Sequence, residues 1–427
     1  MSKSKRAIEM TKTVLVLLLA LNAAFLAWRT GLFNDVFTAL PVVGNIVQLV
    51  RGTTGAPEPA GTTIVEAARP MNIVITYEEG ERFGVRSDLG VRNAVYDRAS
   101  SIIGEALGSA STPLEVSEAQ WREALSSPGV FFEYITPVCL SVLDGWLGSR
   151  MPDAPQDVLV RRVFVSFGEE RSRIYFQEYD SGLYFGADTA STAGKAQELD
   201  IFSPNGAVFA FQLSIAGSEN APYMLIMPEV YHPDIRAAAA GTQEMMLERA
   251  LHVFGHYIEM PPTYFSGDVL VCVGAQFTIR VYPDGRVMYR RTDGFPPANE
   301  AQASNMGEMI EHARAIIADS VGMTSGDAEV HFESIYYREG VYFVYFGYYI
   351  AGGRIHLYDD RHAAFVGFSS GIVVEAELNF RNYALTGYST RLLPERQALA
   401  AAGGEFILSY SDLGPEILQP SWVKVWF

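Results

Sequence analysis

From Val158 onward the hydrophobic residues of this chain recur at every second position, in short runs separated by turn-forming residues. A period of two builds strands with one packed face, so most of the chain must be sheet. Runs at 163–167, 173–179 and 183–187 are joined by Gly168-Glu169 and Asp180-Ser181-Gly182, both hairpin signals. Two more runs, 207–215 and 223–227, follow, and a helix from the N-cap Thr242 to Ile258 closes this unit. Further strands are expected at 269–273, 277–282 and 287–291, with Pro283-Asp284-Gly285 as a turn. Asn305 and Glu308 open a helix whose apolar stripe is Met309, Ile310, Ala313, Ile316, Ile317 and Val321. Five runs near 329–337, 341–350, 354–358, 363–368 and 372–380 lead to a helix-to-strand junction and a final strand at 422–427.

Before Val158 the pattern is mixed. Residues 71–77 read as a strand, and Ser87 and Asp88 lead into a helix at 91–107 with Val91, Val95, Ile102, Ile103 and Leu107 on one face. Ser117 followed by Gln120 is a capping-box pattern that opens a short helix through Trp121 and Leu125. A strand at 130–135 and a helix at 138–147, after Pro137, complete a strand–helix–helix–strand–helix order. That order predicts an α/β unit ending near Pro152 and Pro155.

The N-terminus is of a different kind. Lys3, Lys5, Arg6 and Lys12 precede an apolar run at 13–28. As a helix this run is ~24 Å long, and continuing it through Arg29 to Phe33 brings it to ~31 Å, enough to span a bilayer. No two small residues stand two apart between Leu17 and Trp28, as a signal-peptide cut would require, so an uncleaved anchor is expected. The basic flank places the N-terminus in the cytoplasm and the body outside. Ala20 with Ala24, and Ala23 with Ala27, are small-residue pairs that let a second helix approach, and Asn22 lies mid-span beside them. These five residues are the expected partner-binding face. Residues 34–51 stay apolar but are broken by Pro41 and Gly44, which suits an interfacial stretch, and 52–63 is a low-complexity linker.

Composition narrows the chemistry. Acidic residues outnumber basic ones 49 to 32 in 427 residues, a net charge of -17, which argues against a nucleic-acid surface. Cys139 and Cys272 are too few for a disulfide framework or a cysteine-based zinc site. Gly367-Phe368-Ser369-Ser370-Gly371 has the spelling of a nucleophile elbow, but a strand rather than a helix follows it, so a tight hairpin turn is expected. His252 and His256 have the spacing of two ligands on a helix, yet the stretch lacks the glutamate of a zincin and an obvious third ligand. Asp359-Asp360-Arg361-His362 reads as a solvated turn, and no glycine-rich phosphate loop is present. The aromatic stretch from Tyr336 to Tyr349 fits a sheet with one packed face, whose other face could dock a partner. No catalytic set, metal site or cofactor is expected.

Pro70-Met71-Asn72-Ile73-Val74, the helix around Trp121 and Leu125 with the Pro137 junction, Arg162-Val163-Phe164-Val165, and the closing Pro420-Ser421-Trp422-Val423-Lys424-Val425 are short stretches spread over most of the chain. Together they resemble the YycH/YycI family of membrane regulators of the YycG/WalK sensor histidine kinase. The extra apolar stretch at 34–51 departs from that pattern. The resemblance implies a non-catalytic accessory protein that contacts the kinase's transmembrane helices, with a YycI-like protein as a further partner and cell-wall homeostasis as the process. The expected class is α+β: a transmembrane helix, then three extracytoplasmic units, the first α/β and the later two antiparallel β-meanders with packed helices. Expected boundaries are 1–33 for tail and anchor, 34–63 for the linker, and 64–155, 156–262 and 263–427 for the units, the last shared with YycI-like proteins. The rival reading is an envelope-binding or protein-docking module with no kinase role. A third is a hydrolase built on Ser369.

Overall fold

The computed structural model describes residues 68–425, except 152–157, 169–170, 191, 258–260, 293–302, 304 and 415–416. The predicted membrane anchor and its candidate face, Ala20, Asn22, Ala23, Ala24 and Ala27, lie outside the described residues. Among the described residues no helix is long and apolar enough to cross a membrane.

The first sheet is built from β1 (Asn72–Thr76), β2 (Arg82–Val85), β3 (Leu114–Val116), β4 (Gly129–Cys139), β5 (Leu159–Ser166), β6 (Ser172–Glu178) and β7 (Tyr184–Thr189). Their order is β2-β1-β4-β5-β6-β7-β3, and every pairing is antiparallel. The expected α/β unit is therefore an antiparallel sheet. All five residues of β1 are buried, because both faces of this sheet are covered. Helix α1 (Leu89–Gly108) packs Val95, Ile102, Ile103 and Leu107 into one core with Ile73, Ile75 and Phe132. Helix α2 (Glu118–Leu125) places Trp121 and Leu125 in another with Val74, Phe131, Phe164 and Phe209. A continuous apolar strand of this kind looks like a parallel-sheet strand in sequence, which is why the α/β expectation arose. The expected break at 155/156 falls between β4 and β5, which are hydrogen-bonded neighbours.

Local signals acted where they were read. Asp88 caps α1 by accepting from Val91 N, and Ser117 and Gln120 form the capping box of α2. The expected helix at 138–147 is shorter: β4 runs through Pro137 to Cys139, and α3 spans Leu140–Trp146. A short helix, α4 (Ala193–Ala196), leads to the two-stranded pair β8 (Val208–Phe209) and β9 (Leu225–Ile226).

A second, three-stranded sheet centres on β10 (Tyr231–Ala239). After it, α5 (Gln243–Val253) is capped by Thr242 as expected but ends five residues early. Strands β11 (Thr263–Ser266), β12 (Val269–Val273), β13 (Phe277–Val281) and β14 (Arg286–Arg291) then begin an eleven-stranded sheet. Helix α6 (Met306–Ala318), capped by Asn305, buries the predicted stripe. The sheet continues with β15 (Glu329–Arg338), β16 (Val341–Ile350), β17 (Gly353–Leu357), β18 (Ala364–Ser369) and β19 (Ile372–Asn379). Strand β20 (Arg381–Arg391) leaves it to pair with β10. Helix α7 (Glu395–Ala402), β21 (Phe406–Asp412), β22 (Ile417–Leu418) and β23 (Ser421–Lys424) finish the chain; β22 joins β10, and β21 pairs in parallel with β17. The whole is mixed α+β, dominated by sheet.

Candidate functional site

Three strand pairings lose their regular register close to one another. The pairing of β4 with β5 shifts between Glu133 and Val138, that of β5 with β6 between Val160 and Val163, and that of β15 with β16 between Phe332 and Ser334. Pro137 gives the first of these a cause, since it has no N–H to offer a ladder. Bulges bend and twist strands and gather beside functional sites. Here they leave a cleft of about 430 Å³, walled by Ile135, Thr136, Pro137 and Leu159 on one side and Phe332 to Tyr336 on the other. Thr136 Oγ1 donates to Phe332 O at 2.9 Å, tying the two walls together.

Beneath it lies a buried ionic network. Arg162 Nε donates to Glu133 Oε1 at 2.8 Å, Arg161 lies 3.6 Å from the same oxygen, and Arg161 also pairs with Glu405. Asn72 Nδ2 donates to Glu133 Oε2 at 2.6 Å, and Asn72 Oδ1 accepts from Arg86 Nε at 2.7 Å. Burial pushes the Glu133 carboxyl up, but Arg162 and Arg161 outweigh it and hold the group below the usual carboxylate range.

A second set stands on the other wall. Arg354 engages Glu333 through two nitrogens, at 2.7 and 2.9 Å. Tyr349 OH donates to Glu333 Oε1 at 2.8 Å, and His362 Nδ1 lies 2.6 Å from Glu333 Oε2. Gly347 makes the room: a Cβ there would sit 2.1 Å from Glu333 Oε1. Burial again raises the carboxyl, and the His362 hydrogen bond and Arg354 more than reverse it. Both glutamates are thus fixed as arginine-paired anions, suited to tying strands of their own sheets together and not to donating protons.

The sequence candidates are dispersed. Ser369 ends β18, and Ser370 and Gly371 form a tight turn with φ of 51° and 77°, so the elbow spelling is a hairpin. His252 lies on α5, but His256 falls beyond its end and stacks on Phe277 at 3.7 Å, with Nε2 3.2 Å from Tyr289 OH. Among the described residues no group of three or more His, Cys, Asp or Glu could hold a metal ion. Asp359 and Asp360 do form an exposed turn, whereas Arg361 pairs with Asp284 at 2.8 Å and His362 reaches Glu333. The Glu333 cluster was missed because its members come from three strands, β15, β16 and β17, and the loop before β18. In β15 and β16, Phe332, Val344, Phe346 and Tyr348 are buried, while Tyr336 and Tyr337 are 63% and 64% exposed.

No protein-family model matches the chain, and no curated protein matches it in sequence. Among solved structures, YycH from Bacillus subtilis superposes with a TM-score of 0.55 at 12% identity, covering 86% of this chain and 95% of that one. The dehydratase domain of MlnD from Bacillus amyloliquefaciens, at TM-score 0.13 and 11% identity, is too dissimilar to carry an argument. The chain therefore has a YycH-like fold.

Proposed function

We propose that this protein is a non-catalytic, membrane-anchored accessory protein that regulates a two-component sensor histidine kinase. The supporting observation is the YycH-like fold over 86% of the chain, carried behind an apolar N-terminal segment. In this reading residues 1–33 are the cytoplasmic tail and anchor, 34–63 are the juxtamembrane stretch, and the rest is extracytoplasmic. Ala20, Ala23, Ala24 and Ala27 give the kinase's helices a close approach, and Asn22 offers a hydrogen bond. A helix that packs better against one signalling state shifts the equilibrium without chemistry, and ~1.4 kcal/mol is a tenfold change.

The test is to replace residues 13–33 by an unrelated anchor of equal length and measure kinase autophosphorylation in native membranes. Loss of the effect at unchanged protein level is the expected outcome. Full retention overturns the reading. It would favour instead a docking module, to which the exposed Tyr336 and Tyr337 are suited.

A further inference from the structure

Strand β15 is bonded to β16 along one edge and, among the described residues, to no strand along the other, where β4 packs beside its first half and Thr136 takes the Phe332 carbonyl, leaving the edge from Ser334 on unpaired. The cleft follows that free edge. Its wall consists of five consecutive residues, Phe332 to Tyr336. Beyond the bulge, Ser334, Ile335 and Tyr336 point to alternate faces, so a cavity that touches all three meets that stretch of the strand edge-on. It therefore faces the backbone donors and acceptors that a further strand would satisfy. The bulge at Glu333 sits at the end closed by Thr136, and from Ser334 to Arg338 the pairing with β16 is regular. The volume, about 430 Å³, lies within the range of true ligand sites.

Among the described residues, the charges lining the cleft are committed, with one exception. Arg161 is matched by Glu405 and Glu133, and Glu333 by Arg354. Asp180, on the rim, has no ion-pair partner among the described residues. Tyr179 and Tyr336, 41% and 63% exposed, stand on the same rim. A carboxylate beside two phenol rings recognises an ammonium or guanidinium group. The molecule's charge of -17 draws basic partners to it.

We propose that this cleft receives an extended, basic segment of another protein, which adds as a strand to the free edge of β15 and places a lysine or arginine at Asp180 between Tyr179 and Tyr336. This is strand addition, in which main-chain bonds supply affinity and a side-chain site supplies choice. The proposal stands independently of the kinase reading, because it rests on the geometry of the body alone.

The test uses the full chain in lipid nanodiscs, screened against displayed random heptapeptides. Enriched sequences should share one lysine or arginine at a fixed position. A fluorescent copy of the best should lose at least tenfold in affinity when that residue is changed to glutamate, or when alternate backbone amides are methylated. Asp180→Lys should cost a similar factor and prefer the glutamate peptide; Tyr336→Ala should weaken binding severalfold. Both positions are at the surface, and circular dichroism verifies that the variants fold. Failure to enrich any peptide, indifference to the charge swap or to methylation, or capture of soluble glycan strands at the cleft in place of peptides would overturn the proposal.

Discussion

Arg86 and Glu395, 309 residues apart in sequence, are paired with side chains only 6% and 0% exposed. Arg86 also donates to Asn72 Oδ1 and to Leu225 O, at 2.7 and 3.0 Å, and Glu395 Oε2 accepts from Met227 N at 2.7 Å. Burial pushes the Glu395 carboxyl up against the pull of Arg86, so the pair is held by geometry at a desolvation cost. Glu395→Ala should lower stability by about 3–5 kcal/mol in urea unfolding, because it strands a buried guanidinium. Combining it with Arg86→Met should recover part of that loss. His232 gives a pH dependence. It is 1% exposed, burial and the nearby Arg86 lower its pKa to about 4, and its Nε2 has no hydrogen-bond partner among the described residues. An unfolded histidine titrates near ~6.5 and so takes up its proton first on acidification. The His232 contribution is therefore complete above about pH 6.5 and lost as the pH falls toward 4. Wild type should lose about 2–3 kcal/mol from this group between pH 7 and 4.5, and His232→Gln should show a correspondingly shallower slope in paired unfolding curves.

Turns and caps decide the elements. In the β18–β19 hairpin Gly371 has φ of 77°, and a Cβ would lie 2.2 Å from Ala303 O, whose own backbone N donates to Gly371 O at 3.0 Å. Gly371→Ala should cost about 1–3 kcal/mol in thermal or urea unfolding, through strain and displacement of that segment. Ser369→Ala should change stability by less than about 0.5 kcal/mol. Elements with such local instructions were legible: the Asp88 and Asn305 caps, the Ser117 box, the α6 stripe, and the five runs from β15 to β19 all appear close to their expected places. β10 and β20 were not. One carries Pro233 and three alanines, the other Gly387 and little alternation, so neither has strong intrinsic strand preference. They are strands because each satisfies the other, from Tyr231↔Arg391 to Ala239↔Arg381, and nothing local in either announces a partner so far away. The cleft was illegible for a related reason: Pro137 reads as a junction, Asp180 as a turn residue and Tyr336 as the start of an aromatic strand, and only topology brings the three together.

At the scale of the molecule, the first sheet runs across the expected division at 155/156, with β4 and β5 paired. A fragment of residues 64–155 would carry β4 with its β5-facing edge bare and its core partners Val163, Phe164 and Val165 missing. It should give a poorly dispersed NMR spectrum, whereas a cooperatively folded fragment would restore the division. The pairing of β10 with β20 has a further consequence, which concerns time. A ribosome adding roughly 5–20 residues per second leaves β10 waiting ~8–30 s before β20 is complete. Through that interval the middle of the nascent chain carries an orphan strand and an unsealed apolar surface. Productive biogenesis then calls for a holding chaperone, and a stall after Ala239 should yield aggregates where a stall after Arg391 does not.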